Sequence, residues 1–315
     1  MRHAPTQGRE SRLDLGRGRR RLEKWKSQAP FSSSPLFEQR LAQGGLTETE
    51  LLALLSETVD ASSLGGGTAW ADEIAGAFTD PGAVDLPPYP EKLSERPEAR
   101  FLELIRPLMS RFVSRLREAI VPLAASSSNA PFNPDTVVEI LFAPLPGALL
   151  GLLLRTVALE LNVARLQGLL PGHTAEERLE SFIRRIQRPE IALALFAEYP
   201  VLARLLVNCL ENWRAGSVAF LERWCADWRA ICATFSPAQQ PGPLLSIQGN
   251  AGDSHRGGQS VIIARCHSGF QVVYKPKSMK ADQHFQELLG WLNHQGLAAP
   301  FRQLAILDRG DYGWE

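Results

Sequence analysis

The chain has 315 residues, 44% of them hydrophobic and 22% charged, with 34 basic side chains balanced by 34 acidic ones. That composition excludes a disordered chain, and zero net charge speaks against a protein that binds nucleic acid non-specifically over its whole surface. The four cysteines, Cys209, Cys225, Cys232 and Cys266, have no CxxC spacing, which suggests neither a zinc knuckle nor a redox pair and fits a reducing cytoplasm.

Charge is unevenly spread. Residues 1–26 hold nine Lys/Arg, from Arg2 to Lys26, against three acids. Residues 1–30 therefore read as a basic, partly disordered arm able to touch an acidic peptide or a nucleic acid. No apolar run follows the basic start, so it does not read as a signal peptide. Residues 31–240 then read as helix after helix. Phe101–Ile120 and Trp213–Phe235 are amphipathic runs. The stretch ILFAPLPGALLGLLL, Ile140–Leu154, is the most membrane-like, but it is short for a bilayer, contains Pro144 and Pro146, and is closed by Glu139 and Arg155. It reads as a buried helix pair rather than a transmembrane segment. In TAEERLESFIRRIQRPEI, Thr174 and Glu177 form a capping-box pattern, Leu179, Phe182, Ile183 and Ile186 share one helical face, and Pro189 ends the helix. Linkers show at Ser62–Thr68, Asp85–Glu91 and Ala125–Pro134.

The texture changes at Pro237–Pro243. Residues 241–315 carry short β-type runs: Leu244–Gly249, Ser260–Cys266 and Phe270–Lys275, the last two flanking a His267-Ser268-Gly269 hairpin turn. A helix follows from about Ala281 to His294, with Phe285, Leu288, Leu289 and Leu292 as its expected buried stripe. The fold class is α+β, mostly α.

The stretch GDSHRGGQSVIIARCHSGFQVVYKPKS, Gly252–Ser278, holds the candidate chemistry. Strand, glycine turn, strand, tight turn, strand ending in lysine, then helix is the order of a kinase-like small lobe. Gly257 and Gly258 would let backbone N–H groups approach phosphate oxygens. Lys275, in VVYK, would reach the phosphates as the strand lysine of VAIK does. An acid on the next helix would hold that lysine, Glu287 being the first candidate and Asp282 the second. Asp253 and His255 face the same way on an extended segment, so the acid can fix the imidazole tautomer or raise its pKa for acid–base work. No metal ligand set is read from the sequence.

Taken together, GDSHRGG, VVYKPKS, FQELLGWLN and DYGWE resemble the dehydratase domain of type 2 (LanM-type) lanthipeptide synthetases. RRLEKWK, LTETELLALL, LELNVARLQGLLPGHTAEER and EYPVLARLL resemble the helical amino-terminal part of the same family. The resemblance implies a lipid-kinase-like fold that phosphorylates Ser and Thr of a precursor peptide with ATP and Mg²⁺, then eliminates phosphate to give dehydroalanine and dehydrobutyrine. It associates Asp253, His255 and Lys275 with elimination, and the glycine turn with the ATP phosphates. The family's catalytic loop, metal-binding Asp and zinc cyclase would follow DYGWE. The expectation is thus an amino-terminal dehydratase fragment, inactive alone. The alternatives are a non-enzymatic helical module that binds the leader of the precursor peptide, or one half of a split enzyme.

Overall fold

The helical pattern is realised over most of the chain. The computed structural model describes residues 12–27, 34–58, 69–79, 85–125, 131–249, 260–296 and 299–315. It is mostly helical with a small antiparallel sheet of five strands, an α+β fold. Contacts divide the chain into two units, residues 1–69 and residues 70–315. The change of texture near residue 240 is therefore not a break in packing.

In the first unit, a two-residue strand β1 (Arg12–Leu13) pairs antiparallel with β2 (Glu57–Thr58). Between them lie α1 (Leu15–Lys26), α2 (Ser34–Gln43) and α3 (Glu48–Ser56). Leu22, Phe37 and Leu51 are buried together as a small core. Lys26 reaches Glu48 at 2.6 Å. Gly18 lies so close to Ser56 that an added Cβ would stand 1.9 Å from the serine Oγ. Within the expected arm, residues 15–26 are a helix, because Leu22 and Gly18 give the basic segment one packing face; residues 1–11 and 28–30 lie outside the described residues.

The second unit opens with α4 (Ala69–Thr79) and the single turn α5 (Glu91–Ser94). The run expected to be one helix from Phe101 is a 3₁₀ segment over Pro97–Ile105 followed by α6 (Arg106–Ala125). Pro107 supplies the reason, since it has no N–H to continue an α-ladder from Glu103. Next come α7 (Val137–Phe142), α8 (Leu145–Leu166), α9 (Ala175–Ile186), α10 (Pro189–Glu198) and the long α11 (Pro200–Phe235). Val137–Leu166 is long and apolar enough by composition to cross a membrane. The fold breaks it at Pro144 into α7 and α8 and buries Val138, Leu141, Leu145, Leu149 and Leu153 in the core. The capping box at α9 is formed, with Glu177 N–H donating to Thr174 Oγ1 and the Glu177 carboxylate accepting from the Thr174 backbone.

The sheet contains β3 (Leu244–Gln248), β4 (Ile262–Cys266), β5 (Gln271–Lys275), β6 (Leu307–Asp308) and β7 (Gly313–Trp314), with α12 (Lys280–His294) between β5 and β6. Its order is β3-β4-β5-β7-β6, every neighbour antiparallel. Gly269 turns the β4–β5 hairpin with φ +87°. One face of the sheet packs on α11 through Val272, Tyr274 and Trp314.

The expected buried stripe on α12 is not buried. Phe285 is 55% exposed and Leu288 48%. The helix is fastened elsewhere. The Met279 N–H donates to Asp308 at its start, and further along Gln286 and Asn293 hydrogen-bond to Leu304 and Phe301 of an extended segment. No element among the described residues crosses the Phe285–Leu288 face.

Candidate functional site

Alternation along β5 decides where the lysine points. Val272 and Tyr274 face the helices, so Lys275 faces the opposite side of the sheet. There its ammonium lies 2.6 Å from Glu315 and 3.7 Å from Asp282, with only 18% of the side chain exposed. Lys277 approaches the other Asp282 oxygen at 3.8 Å. Asp282 sits in the first turn of α12, directly after the loop leaving β5. Glu315 is held by backbone bonds to Val273 in both directions, 2.8 and 3.0 Å. A strand lysine is thus gripped by a helix acid and a strand-end acid.

The helix acid is Asp282 and not Glu287. Five residues further on, Glu287 is turned about 140° round the helix from Asp282. It accepts from or donates to nothing at Lys275; its partner is His284 Nδ1 at 2.9 Å, and both side chains are exposed.

A second arrangement holds the far end of the sheet in place. Asp227 of α11 is buried, and its two oxygens accept separately from the Trp314 indole N–H at 2.9 Å and the Arg309 Nε–H at 2.8 Å. Arg223, one turn earlier, stacks over Tyr312 with 4.3 Å to the ring centroid and donates to the Tyr274 hydroxyl. Trp224 packs on Trp314 and donates to the Pro131 carbonyl. Burial pushes the Tyr312 hydroxyl pKa up, and its hydrogen bond to Asp227 pushes the same way. Burial also raises Tyr274. Gly313 is required at β7, because a Cβ there would stand 2.5 Å from Met279 Cγ and 2.8 Å from the Leu307 carbonyl. The clasp fixes β7, and β7 carries Glu315 to Lys275. Sequence reading missed Arg223, Trp224 and Asp227; their i, i+1, i+4 spacing on one helix face was the available signal.

Behind the sheet, on the Tyr274 face, a groove of about 540 Å³ runs between α7–α8, α11 and the strands. Leu145, Leu152, Ile247 and Ile262 line it, and Gly249 and Ser260 stand at its edge. It lies across the sheet from Lys275. Asp253, His255, Gly257 and Gly258 fall outside the described residues. Lys275 carries the positive charge that a nucleotide or peptide phosphate requires. The described residues do not fit a Mg²⁺ site: Asp282 and Glu315 are both turned on Lys275, and no group of three His, Cys, Asp or Glu is placed to hold a metal ion.

No curated protein matches the chain in sequence. Residues 199–315, from the start of α11 to the end of the sheet, match a family described as a domain of unknown function, DUF4135. The matched region contains both halves of the Asp227 clasp together with Lys275, Asp282 and Glu315.

Proposed function

We propose that residues 199–315 form the phosphate-handling lobe of a peptide dehydratase of the type 2 lanthipeptide synthetase kind. The observation that carries this reading is the lysine at the end of a central strand, held by a first-turn acid of the following helix. That is the arrangement a kinase-like small lobe uses to present an ammonium to phosphate. ATP would supply the phosphoryl group for a Ser or Thr hydroxyl of the precursor peptide. Elimination then passes the Cα proton to a general base, the C–H electron pair forms the Cα=Cβ bond, and Cβ–O breaks with its electron pair leaving on phosphate. Lys275 neutralises the charge that develops on that leaving group. Asp253 and His255 enter on the resemblance alone, as a pair that positions or protonates it. No step is assigned to a metal ion held by these residues.

The test is calorimetric titration of the full chain with a phosphoserine peptide and its unphosphorylated twin. The phosphopeptide is expected to bind more tightly. Lys275→Ala should lose about tenfold in affinity, roughly 1.4 kcal/mol, while His284→Ala, outside the lysine cluster, should lose nothing. Equal affinity for the two peptides, or an unaffected Lys275→Ala variant, would sink the reading.

A further inference from the structure

The basic segment noted in the sequence is a helix whose charges work in part against its own stability. In α1, Arg17, Arg19, Arg20, Arg21, Lys24 and Lys26 stand against Glu23; the first turn holds no acid to complement the helix dipole, while Lys24 and Lys26 in the last turn complement its other end. Arg20 and Lys24 are like charges at i, i+4, a repulsive pair. Neighbouring elements satisfy only part of the set. Lys26 pairs with Glu48, and Arg21 donates to the Leu55 carbonyl at 3.3 Å. Among the described residues, the side chains of Arg19, Arg20 and Lys24 have no hydrogen-bond or ion-pair partner, and all three are exposed. Packing uses the opposite side of the helix, where Leu22 is buried and Gly18 meets Ser56. Packing of the helix therefore does not use Arg20 or Lys24.

We propose that this outward face of α1 docks an acidic peptide segment. Charge complementarity names an anion, and the chemistry of the face selects among anions. A bilayer would need apolar side chains on the contacting face, but Trp25 is about 100° round from Lys24 and Leu22 points inward. Single-stranded nucleic acid would need aromatic platforms between the cations, and neither Arg20 nor Lys24 has an aromatic one turn away on its face. Arg20 and Lys24 are separated by about 6 Å along the axis, four residues of helix rise. That spacing suits carboxylates at alternate positions of an extended peptide or at i, i+4 of a helix. The inference does not rest on the phosphate chemistry proposed above, and either can fail without the other.

The test uses the full chain and a labelled oligo-glutamate peptide, read by fluorescence anisotropy at low salt and at roughly 0.5 M salt. Binding is expected at low salt. It should weaken about tenfold or more at high salt and in the Arg20→Glu/Lys24→Glu variant, with Arg20→Gln/Lys24→Gln between. The glutamine variant should not melt below the wild type, because it removes the repulsion; the charge-reversed variant exchanges it for a repulsion between two glutamates. No binding by the wild type, or equal binding by the charge-reversed variant, overturns the proposal. So does tighter binding of oligothymidylate or of phosphatidylserine vesicles than of oligo-glutamate. A lower melting temperature in the glutamine variant overturns it too, since the cations would then be structural.

Discussion

Asp227→Ala is expected to loosen the whole carboxy-terminal end of the sheet. The side chain is 7% exposed and accepts bonds from a fully buried indole, from a guanidinium and from the Tyr312 hydroxyl. Its loss removes a charge-assisted bond to Trp314 and strands that N–H in a site without water, at a cost of about 2–3 kcal/mol. Arg309 is 36% exposed and regains solvent, so its share is about 0.5–1 kcal/mol. The sum, about 3 kcal/mol, corresponds to a melting shift of roughly 6–12 °C for a unit of this size. Asp227→Asn keeps an acceptor for the indole and should lose only about 1 kcal/mol. Urea denaturation followed by circular dichroism measures both, and a cycle with Arg309→Ala isolates the ion pair. Because β7 carries Glu315 to Lys275, the alanine variant should also weaken phosphopeptide binding. An Asp227→Ala protein within about 0.5 kcal/mol of wild type would refute the clasp, since this is the range of ordinary surface changes.

Gly313→Ala should destabilise by about 1–3 kcal/mol, because its Cβ meets Met279 Cγ at 2.5 Å and a backbone carbonyl at 2.8 Å; a melting curve superimposable on wild type would contradict this. Glu177→Gln tests the α9 cap through pH. Backbone N–H groups of His173 and Thr174 hold the Glu177 carboxyl below its ordinary value of 4.5, so its contribution is present above pH 4.5 and lost as pH falls through the lower folded value. The variant should therefore melt below wild type at neutral pH and level with it in acid, and a gap that persists in acid would contradict the assignment. Burial pushes the Cys266 thiol up to about 11, so iodoacetamide at pH near 8 should leave Cys266 unmodified until denaturant is added, as mass spectrometry of digests would show.

Local signals in the sequence located the elements well. The Thr174–Glu177 capping box, the glycine of the β4–β5 hairpin and the end of β5 at Lys275 were all legible, because each depends on residues a few positions apart. What the sequence concealed is tertiary. Of the two acids on α12, the sequence put Glu287 ahead of Asp282 as the partner of the strand lysine, and the tertiary fold brings Asp282 to it instead. The apolar stripe of α12 was real as a pattern, but a pattern does not say whether a neighbour covers it, and Phe285 and Leu288 stand exposed. In the basic amino-terminal segment the charge run hid a helix over residues 15–26, which one leucine and one glycine suffice to seat. The clasp was least visible of all: Asp227 and Trp314 meet across 87 residues, and nothing near either residue announces the other. That separation also bears on the site. Lys275 depends on Glu315, Glu315 on β7, and β7 on a carboxylate of the longest helix, so the chemistry at one face of the sheet is set by packing on the other. A search confined to the lysine and its neighbours would find the charge but not what aims it.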